Sequence, residues 1–263
     1  MPQAAAGQLV DQRLERSVSA VDRDHLAAMD IRLLFVPGFM QRGSAWAPVA
    51  DLLGERYPSL LLDHRQHDFE GRLREIAEAG EGAVLCGYSL GGRLGLHAAV
   101  REPERFAGLV MVGATAGIDD PDARATRAEA DERLAAWMES AGIEDVVAIW
   151  ERQPLFADQS ESLVEQQRPG RLSHDPRELA SLIRTSGQGV LEPLWAELPR
   201  LSLPMLAMAG ARDRRYVEVA RRLSELVPDA RLQIVEGAGH APQLERPDLV
   251  AAPLRDFIHR HFG

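Results

Sequence analysis

Lysine is absent from this chain of 263 residues, and all 30 basic residues are arginine. This absence excludes reactions that need a lysine amine, such as Schiff-base formation with a carbonyl substrate. Cysteine is nearly absent as well, because Cys86, in a predicted buried strand, is the only one. No disulfide framework can form from a single cysteine, and this fits a reducing cytoplasm.

The sequence also lacks long apolar runs and an excess of positive charge. No stretch approaches the roughly 20 apolar residues that a membrane-spanning helix needs, and Ala4–Ala6 is too short for the apolar part of a secretory signal. The formal net charge is −10, which argues against nucleic acid and anionic membrane surfaces as partners. We therefore expect a cytoplasmic protein without nucleic-acid or membrane partners, either a monomer or a small homo-oligomer.

Short apolar runs alternate with helical patterns along much of the chain. This alternation predicts an α/β fold with a mostly parallel central sheet and helices on both of its faces. The predicted strands are Ile31–Val36, Leu60–Asp63, Ala83–Cys86, Leu109–Gly113, Met205–Ala209 and Arg231–Val235.

The strand pattern stops after Gly117 and resumes at Met205, and the residues between them have helical patterns. We interpret residues 118–195 as a helical cap inserted over the sheet edge. The α/β core would then comprise residues 31–117 and 196–263. Residues 1–30 are predicted to be an N-terminal extension, which could form a helix or stay partly disordered.

The segment Gly87–Gly91 reads Gly-Tyr-Ser-Leu-Gly and lies between four apolar residues and a helical pattern. A G-x-S-x-G motif between a strand and a helix is typical of a nucleophile elbow. It predicts that the Ser89 hydroxyl is exposed at the carboxyl end of a central strand, beside the positive end of the helix dipole. The alternative is a glycine-rich turn whose serine only caps the helix.

A serine hydroxyl is a weak nucleophile and base unless a neighbouring group takes its proton. That group is usually a histidine oriented by a carboxylate, and on this kind of sheet the chain order is serine, acid, histidine. Asp213 and His240 follow the fifth and sixth predicted strands in that order. The alternatives are an N-cap role for Asp213 and, for His240, a loop histidine that caps a helix. An oxyanion hole would need two backbone N–H groups, and we expect them from Phe39 and Leu90.

A cluster of polar residues, Asp63–Asp68, follows the second predicted strand and contains His64 and His67. The spacing His-x-x-His-Asp could hold a divalent metal. However, the two histidines are close together in sequence and no helix fixes them, which favours a polar pocket wall. We therefore expect neither a metal ion nor a cofactor.

Taken together, these motifs resemble those of the α/β-hydrolase superfamily over residues 31–263. Within the superfamily, the chain is similar to the 2-succinyl-6-hydroxy-2,4-cyclohexadiene-1-carboxylate synthases, which are lyases of menaquinone biosynthesis. The stretches that carry this resemblance are Gly87–Arg93, Trp150–Phe156, Arg171–Pro176 with Leu179-Ala180, Gly187–Gly189 with Leu194-Trp195, and Gly210–Tyr216.

The resemblance implies that pyruvate is eliminated after a proton is taken from a ring carbon of a succinyl-enolpyruvyl-hydroxycyclohexene carboxylate. Ser89, activated by His240 and Asp213, would be the base. The small-molecule substrate carries three carboxylates, and arginine suits them because it is always charged and can donate two parallel hydrogen bonds. The residues that match the family's substrate-binding positions are Tyr88, Arg93, Arg127, Trp150, Arg171 and Arg215.

Two other functions stay open. The first is a serine hydrolase, either a carboxylesterase or a C–C bond hydrolase, acting on a small carboxylate-bearing substrate. The second is a binding protein that keeps the fold without the activity, which a complete triad argues against. Any single arginine could instead lie on a solvated face. The arginines and the cap motif favour the lyase.

Overall fold

The computed structural model describes residues 31–263, so the predicted N-terminal extension lies outside the described part of the chain. Within this range there are six strands: β1 (Leu33–Val36), β2 (Ser59–Leu61), β3 (Val84–Tyr88), β4 (Gly108–Val112), β5 (Met205–Gly210) and β6 (Ala230–Val235). The helices are α1 (Ala47–Leu53), α2 (Phe69–Ala79), α3 (Leu90–Arg101), α4 (Pro121–Met138), α5 (Ile143–Glu151), α6 (Glu161–Leu172), α7 (Pro176–Ser186), α8 (Arg214–Leu226), α9 (Pro242–Glu245) and α10 (Pro247–Phe262).

The six described strands form one sheet in the order β2-β1-β3-β4-β5-β6, and every neighbouring pair is parallel. Successive residues of β1 point to opposite faces, with Leu34 and Val36 in one apolar cluster and Leu33 and Phe35 in another. Helices α2, α3 and α8 cover the first face, and α1 and α10 cover the second. The predicted parallel sheet with helices on both of its faces is confirmed.

Helices α4 to α7 occupy the stretch where the strand pattern is interrupted. They have an apolar cluster of their own, in which Ala135, Val147 and Ile183 pack together. Met40, from the loop after β1, packs into the same cluster and is almost fully buried. The loop that follows the first strand therefore ties this helical layer to the carboxyl edge of the sheet.

One helix of this layer extends beyond its predicted end. The sequence pattern ends it at Gln167, two residues before Pro169, but α6 continues to Leu172 with Pro169 inside it. Proline removes one helical hydrogen bond. The side chains of Arg42 and Glu151 hold the last turn by bonding to Ser173 and Arg171, which offsets that loss. Within residues 31–263, none of the helices has the length and apolar character needed to cross a membrane.

Candidate active site

Ser89 lies in the tight turn between β3 and α3, at the middle of the sheet. Its φ of 50° and ψ of −110° are unusual for a residue with a side chain. The turn requires close backbone contact, because a Cβ on Gly91 would lie 2.3 Å from the carbonyl oxygen of Val36. A Cβ on Gly87 would lie 2.5 Å from the carbonyl oxygen of Gly91. Glycine at these two positions allows the strained turn that raises the hydroxyl above the sheet.

The structure brings the three predicted triad residues together. His240 Nε2 lies 3.3 Å from Ser89 Oγ, and His240 Nδ1 lies 2.7 Å from Asp213 Oδ2. His240 is 2% exposed, so its contacts with Ser89 and Asp213 are largely shielded from water. A neutral His240 that donates from Nδ1 to Asp213 keeps a lone pair on Nε2, which can accept the serine proton.

Asp213 makes the contacts that both alternatives require. Its Oδ1 accepts a hydrogen bond of 3.3 Å from the N–H of Tyr216 and so caps α8, while Oδ2 contacts His240. Glu245 holds the histidine loop from the other side, because its carboxylate accepts the N–H groups of Gly239 at 2.5 Å and Ala241 at 3.1 Å. The triad is thus fixed by backbone hydrogen bonds on both sides of His240.

The two residues expected to supply the oxyanion hole line the same cavity as the serine. Leu90 is the first residue of α3, so its N–H has no acceptor within the helix. Phe39 lies in the loop after β1 and lines the same cavity as Ser89 and Leu90. This arrangement can present backbone N–H groups and the helix dipole to a developing negative charge.

A cavity of about 320 Å³ opens beside Ser89, between the sheet edge and helices α4, α5 and α7. Its volume is in the range usual for small-molecule sites. Trp150 forms part of the wall and packs edge-on against Phe39, with ring centroids 5.1 Å apart. Tyr88 lines a smaller compartment beside the same serine and histidine, and burial raises the pKa of its hydroxyl well above the ordinary value.

Two of the predicted arginines are almost completely buried beside the triad. Arg93 is 9% exposed, and its Nη1 donates to the carbonyl oxygen of Ser186 at 3.2 Å. Burial lowers its pKa to about 10, so it stays charged near neutral pH. Arg171 is 4% exposed and lines the compartment that contains Tyr88.

Arg171 shares a carboxylate with a second arginine. Its Nη1 lies 2.9 Å from Glu151 Oε1, and Arg168 Nη2 lies 2.6 Å from Glu151 Oε2. Burial raises the pKa of Glu151, but the hydrogen bonds from both arginines lower it overall, so the group is ionised. Two positive charges and one negative charge leave this group with one net positive charge, which can attract an anionic ligand.

The other two predicted arginines, Arg127 and Arg215, line the main cavity. Arg127 Nε lies 2.7 Å from Asp131 Oδ1. The guanidinium carbon of Arg215 lies 5.9 Å from the centre of the Tyr216 ring. All four arginines therefore border the cavity or its side compartment, where a ligand near Ser89 could contact them.

Sequence reasoning missed several polar residues that line the two compartments. Asp131 and Gln188 border the main cavity, and Gln188 Nε2 donates to the Tyr216 hydroxyl at 3.2 Å. Gln159 borders the side compartment, and its Oε1 is buried without a protein partner in residues 31–263. Only the position of Asp131, four residues after Arg127 on a helix, could have signalled a pairing from the sequence.

The loop Asp63–Asp68 does form a polar wall, but around a different cavity. This second cavity is small, about 20 Å³, and both His64 and His174 contribute to it. His64 Nδ1 lies 2.8 Å from Glu75 Oε2. In the part of the chain that the structure describes, no three His, Cys, Asp or Glu side chains are grouped as a metal site requires.

Three buried histidines should make the folded state sensitive to acid. Burial lowers the pKa of each to about 4, helped by Arg72 for His64, by Arg101 for His97 and by Arg42 for His174.

Between pH 4 and the ordinary histidine pKa of about 6.5, the unfolded chain binds protons that the folded chain does not. The free energy of unfolding should therefore fall as the pH drops through this window, by roughly 2 kcal/mol per histidine at about pH 5. Urea unfolding at about pH 7.5, 6 and 5 measures this, with His97→Gln as a variant that should show a shallower loss. Unchanged or rising stability towards pH 5 would contradict the burial of neutral histidines.

The chain is similar to known proteins both in sequence and in fold. The model of a family described as "Alpha/beta hydrolase family" matches residues 33–252. A 2-succinyl-6-hydroxy-2,4-cyclohexadiene-1-carboxylate synthase of Yersinia enterocolitica is 30% identical over 241 residues, which span 86% of this chain and 86% of that protein.

Two solved structures share the fold. MenH from S. aureus superposes with a TM-score of 0.83 at 24% identity, over 89% of this chain and 96% of that one. A thermophilic esterase from Thermogutta terrifontis, solved with malate bound, superposes with a TM-score of 0.73 at 21% identity, over 89% of this chain and 91% of that one.

Proposed function

The chain belongs to the alpha/beta hydrolase family and is an enzyme of that fold, and we propose that it is a lyase of menaquinone biosynthesis. The reaction is elimination of pyruvate from a succinyl-enolpyruvyl-hydroxycyclohexene carboxylate, which gives 2-succinyl-6-hydroxy-2,4-cyclohexadiene-1-carboxylate. The Yersinia enterocolitica relative bears the name of the synthase that makes this product.

The observation that carries the proposal is the burial of arginine beside the triad. A substrate with three carboxylates must leave water to reach Ser89, and an unpaired buried charge is destabilised by several kcal/mol. Arg93 and Arg171 are each less than a tenth exposed and border the compartments that contain Ser89 and His240. An esterase for neutral substrates has no need of buried cations at these positions.

In the proposed mechanism, His240 accepts the proton of Ser89 as the serine oxygen takes a proton from a ring carbon of the substrate. Asp213 stabilises the imidazolium that forms, through its contact with Nδ1. The electron pair released from the C–H bond moves into the ring's conjugated system, and negative charge develops on the carbonyl oxygen of the succinyl group. The N–H groups of Phe39 and Leu90 stabilise the resulting negative charge.

The bond between the ring and the enolpyruvyl oxygen then breaks. The leaving enolpyruvate takes up the proton that His240 received and becomes pyruvate, so the triad returns to its starting state and no water molecule is consumed. Helices α4 to α7 cover the site and keep water from the charged intermediate, which also strengthens each charge interaction inside. Trp150 and Phe39 supply the apolar part of that cover.

The test is incubation of the purified protein with the substrate generated in situ, with pyruvate and the conjugated cyclohexadiene measured together. We expect the two products in equal amounts, at a rate proportional to the protein concentration. The Ser89→Ala protein, which lacks only one oxygen atom, is the control for background decomposition. Release no faster than with this control would refute the lyase.

A serine hydrolase acting on a small carboxylate-bearing substrate is the second candidate. It is supported by the triad distances of 3.3 Å and 2.7 Å, which suit nucleophilic attack as well as proton abstraction. Turnover of p-nitrophenyl esters and covalent labelling of Ser89 by a fluorophosphonate, without pyruvate release from the lyase substrate, would favour it.

A further inference from the structure

Asp131 is a carboxylate in a cavity where an anionic substrate is expected. Its side chain is 6% exposed, and it lines the same cavity as Arg93, Arg127 and Ser89. Among the described residues that line this cavity, it is the only acidic one. A negative charge here repels a substrate carboxylate, so packing with a neutral residue would serve simple anion binding better. Anion binding alone therefore does not explain a carboxylate at this position.

The contacts of Asp131 leave part of its hydrogen-bonding capacity unused. Oδ1 accepts from Arg127 Nε at 2.7 Å, and Oδ2 is 3.5 Å from the N–H of Gly189, the longest separation at which a bond forms. A carboxylate offers about four acceptor positions. At least two therefore have no protein donor within residues 31–263.

Arg127 completes the arrangement with free donors next to this acceptor. Only its Nε is bonded to Asp131, and within residues 31–263 its two Nη groups donate to no other protein atom. The pair thus offers guanidinium donors and a carboxylate acceptor side by side. A ligand that complements it carries an acceptor, such as a carboxylate, on a carbon adjacent to one that carries a hydroxyl.

We propose that Arg127 and Asp131 together recognise a β-hydroxy acid unit, with Arg127 binding the carboxylate and Asp131 accepting the hydroxyl hydrogen. This inference rests on the proposed function, because the product named there has a 1-carboxylate and a 6-hydroxyl on neighbouring ring carbons. Asp131 would then select the hydroxylated ring over an otherwise identical ring acid. The repulsion between Asp131 and the bound carboxylate is offset by Arg127 and by Arg93.

Asp131 also has a packing role that the test must separate from recognition. A Cβ on Gly187 would lie 2.6 Å from Oδ2, so the carboxylate is in close contact with the loop after α7. Loss of Asp131 could loosen this loop and weaken every ligand equally. The ratio of two affinities distinguishes the roles, because a general loosening leaves the ratio unchanged.

The experiment compares the dissociation constants of two ring acids, measured by NMR titration: 2-hydroxycyclohexane-1-carboxylate, in both its cis and trans forms, and cyclohexanecarboxylate. We expect the wild-type protein to bind the better hydroxy isomer about tenfold or more tightly, because a hydrogen bond to a charged acceptor is stronger than one between neutral groups. In Asp131→Ala the ratio should fall to about one. In Asp131→Asn, which keeps the size of the side chain, it should fall to a few-fold.

Glu129→Ala is the matched control, because Glu129 is an exposed acid of the same helix α4 and does not line the cavity. It should keep the wild-type ratio. A wild-type ratio near one, binding of neither acid, or a ratio that both Asp131 variants retain would overturn the inference. If Asp131→Ala does not fold, the ratio of the two dissociation constants in Asp131→Asn tests the inference by itself.

The outcomes also separate this inference from the lyase itself. If binding of the hydroxy acid depends on Asp131 but the protein releases no pyruvate, this inference holds and the proposed function is wrong. If the protein releases pyruvate but the affinity ratio is unchanged in the Asp131 variants, the lyase function holds and only this inference is wrong.

Discussion

Replacing Ser89 with alanine should reduce kcat by about three or more orders of magnitude, because the group that we propose as the base is lost. The folded state should be almost unaffected. The hydroxyl stands above a turn whose strained φ of 50° is imposed by the surrounding backbone, and alanine meets the same strain as serine. The measurement is the steady-state rate of pyruvate release, together with urea unfolding of both proteins.

Ser224→Ala is the control for the removal of a hydroxyl elsewhere. Ser224 lies on α8, and its hydroxyl donates to the carbonyl oxygen of Arg221, outside the cavity. This variant should keep full activity. A Ser89→Ala protein with near wild-type turnover would show that another group removes the proton, and the assignment of Ser89 would be wrong.

Replacing Arg93 with alanine should have the second largest effect. If a desolvated substrate carboxylate pairs with Arg93, its loss should weaken transition-state binding by about 2–5 kcal/mol. This corresponds to a decrease in kcat/KM of roughly 30-fold to several thousandfold. Arg93→Lys should restore only part of the loss, because the ammonium cannot donate two parallel hydrogen bonds to one carboxylate.

Arg101→Ala is the matched control for Arg93. Both arginines belong to α3, but Arg101 is at its exposed end and pairs with Glu70 at the surface, where an ion pair contributes little. We expect an activity within about twofold of wild type for this control. If Arg93→Ala lowers activity no more than Arg101→Ala does, Arg93 does not bind a substrate carboxylate.

The sequence predicts the parts of this site that depend on local pattern. Four apolar residues, a Gly-x-Ser-x-Gly turn and a helix specify the position of Ser89, because strand, turn and helix are all encoded within a dozen residues. Asp213 and His240 follow from the loops after β5 and β6, since parallel strands bring their carboxyl ends to one edge. These three residues are far apart in sequence, but each has a recognisable local setting.

The residues that the sequence does not predict act through long-range contacts. Glu151 on α5 pairs with Arg168 and Arg171 on α6. The local sequence of α5 does not predict this pairing. The persistence of α6 past Pro169 has the same origin, since contacts with Arg42 and Glu151 override a local helix-ending signal.

The measurement that tests the central claim most directly is a ratio of two specificity constants in one preparation of the wild-type protein. One is kcat/KM for pyruvate elimination from the substrate generated in situ, and the other is kcat/KM for hydrolysis of the neutral ester p-nitrophenyl butyrate. Buried arginines beside Ser89 should favour the tricarboxylate, so we predict a ratio above one by orders of magnitude. A ratio below one would contradict the account and identify the protein as a hydrolase.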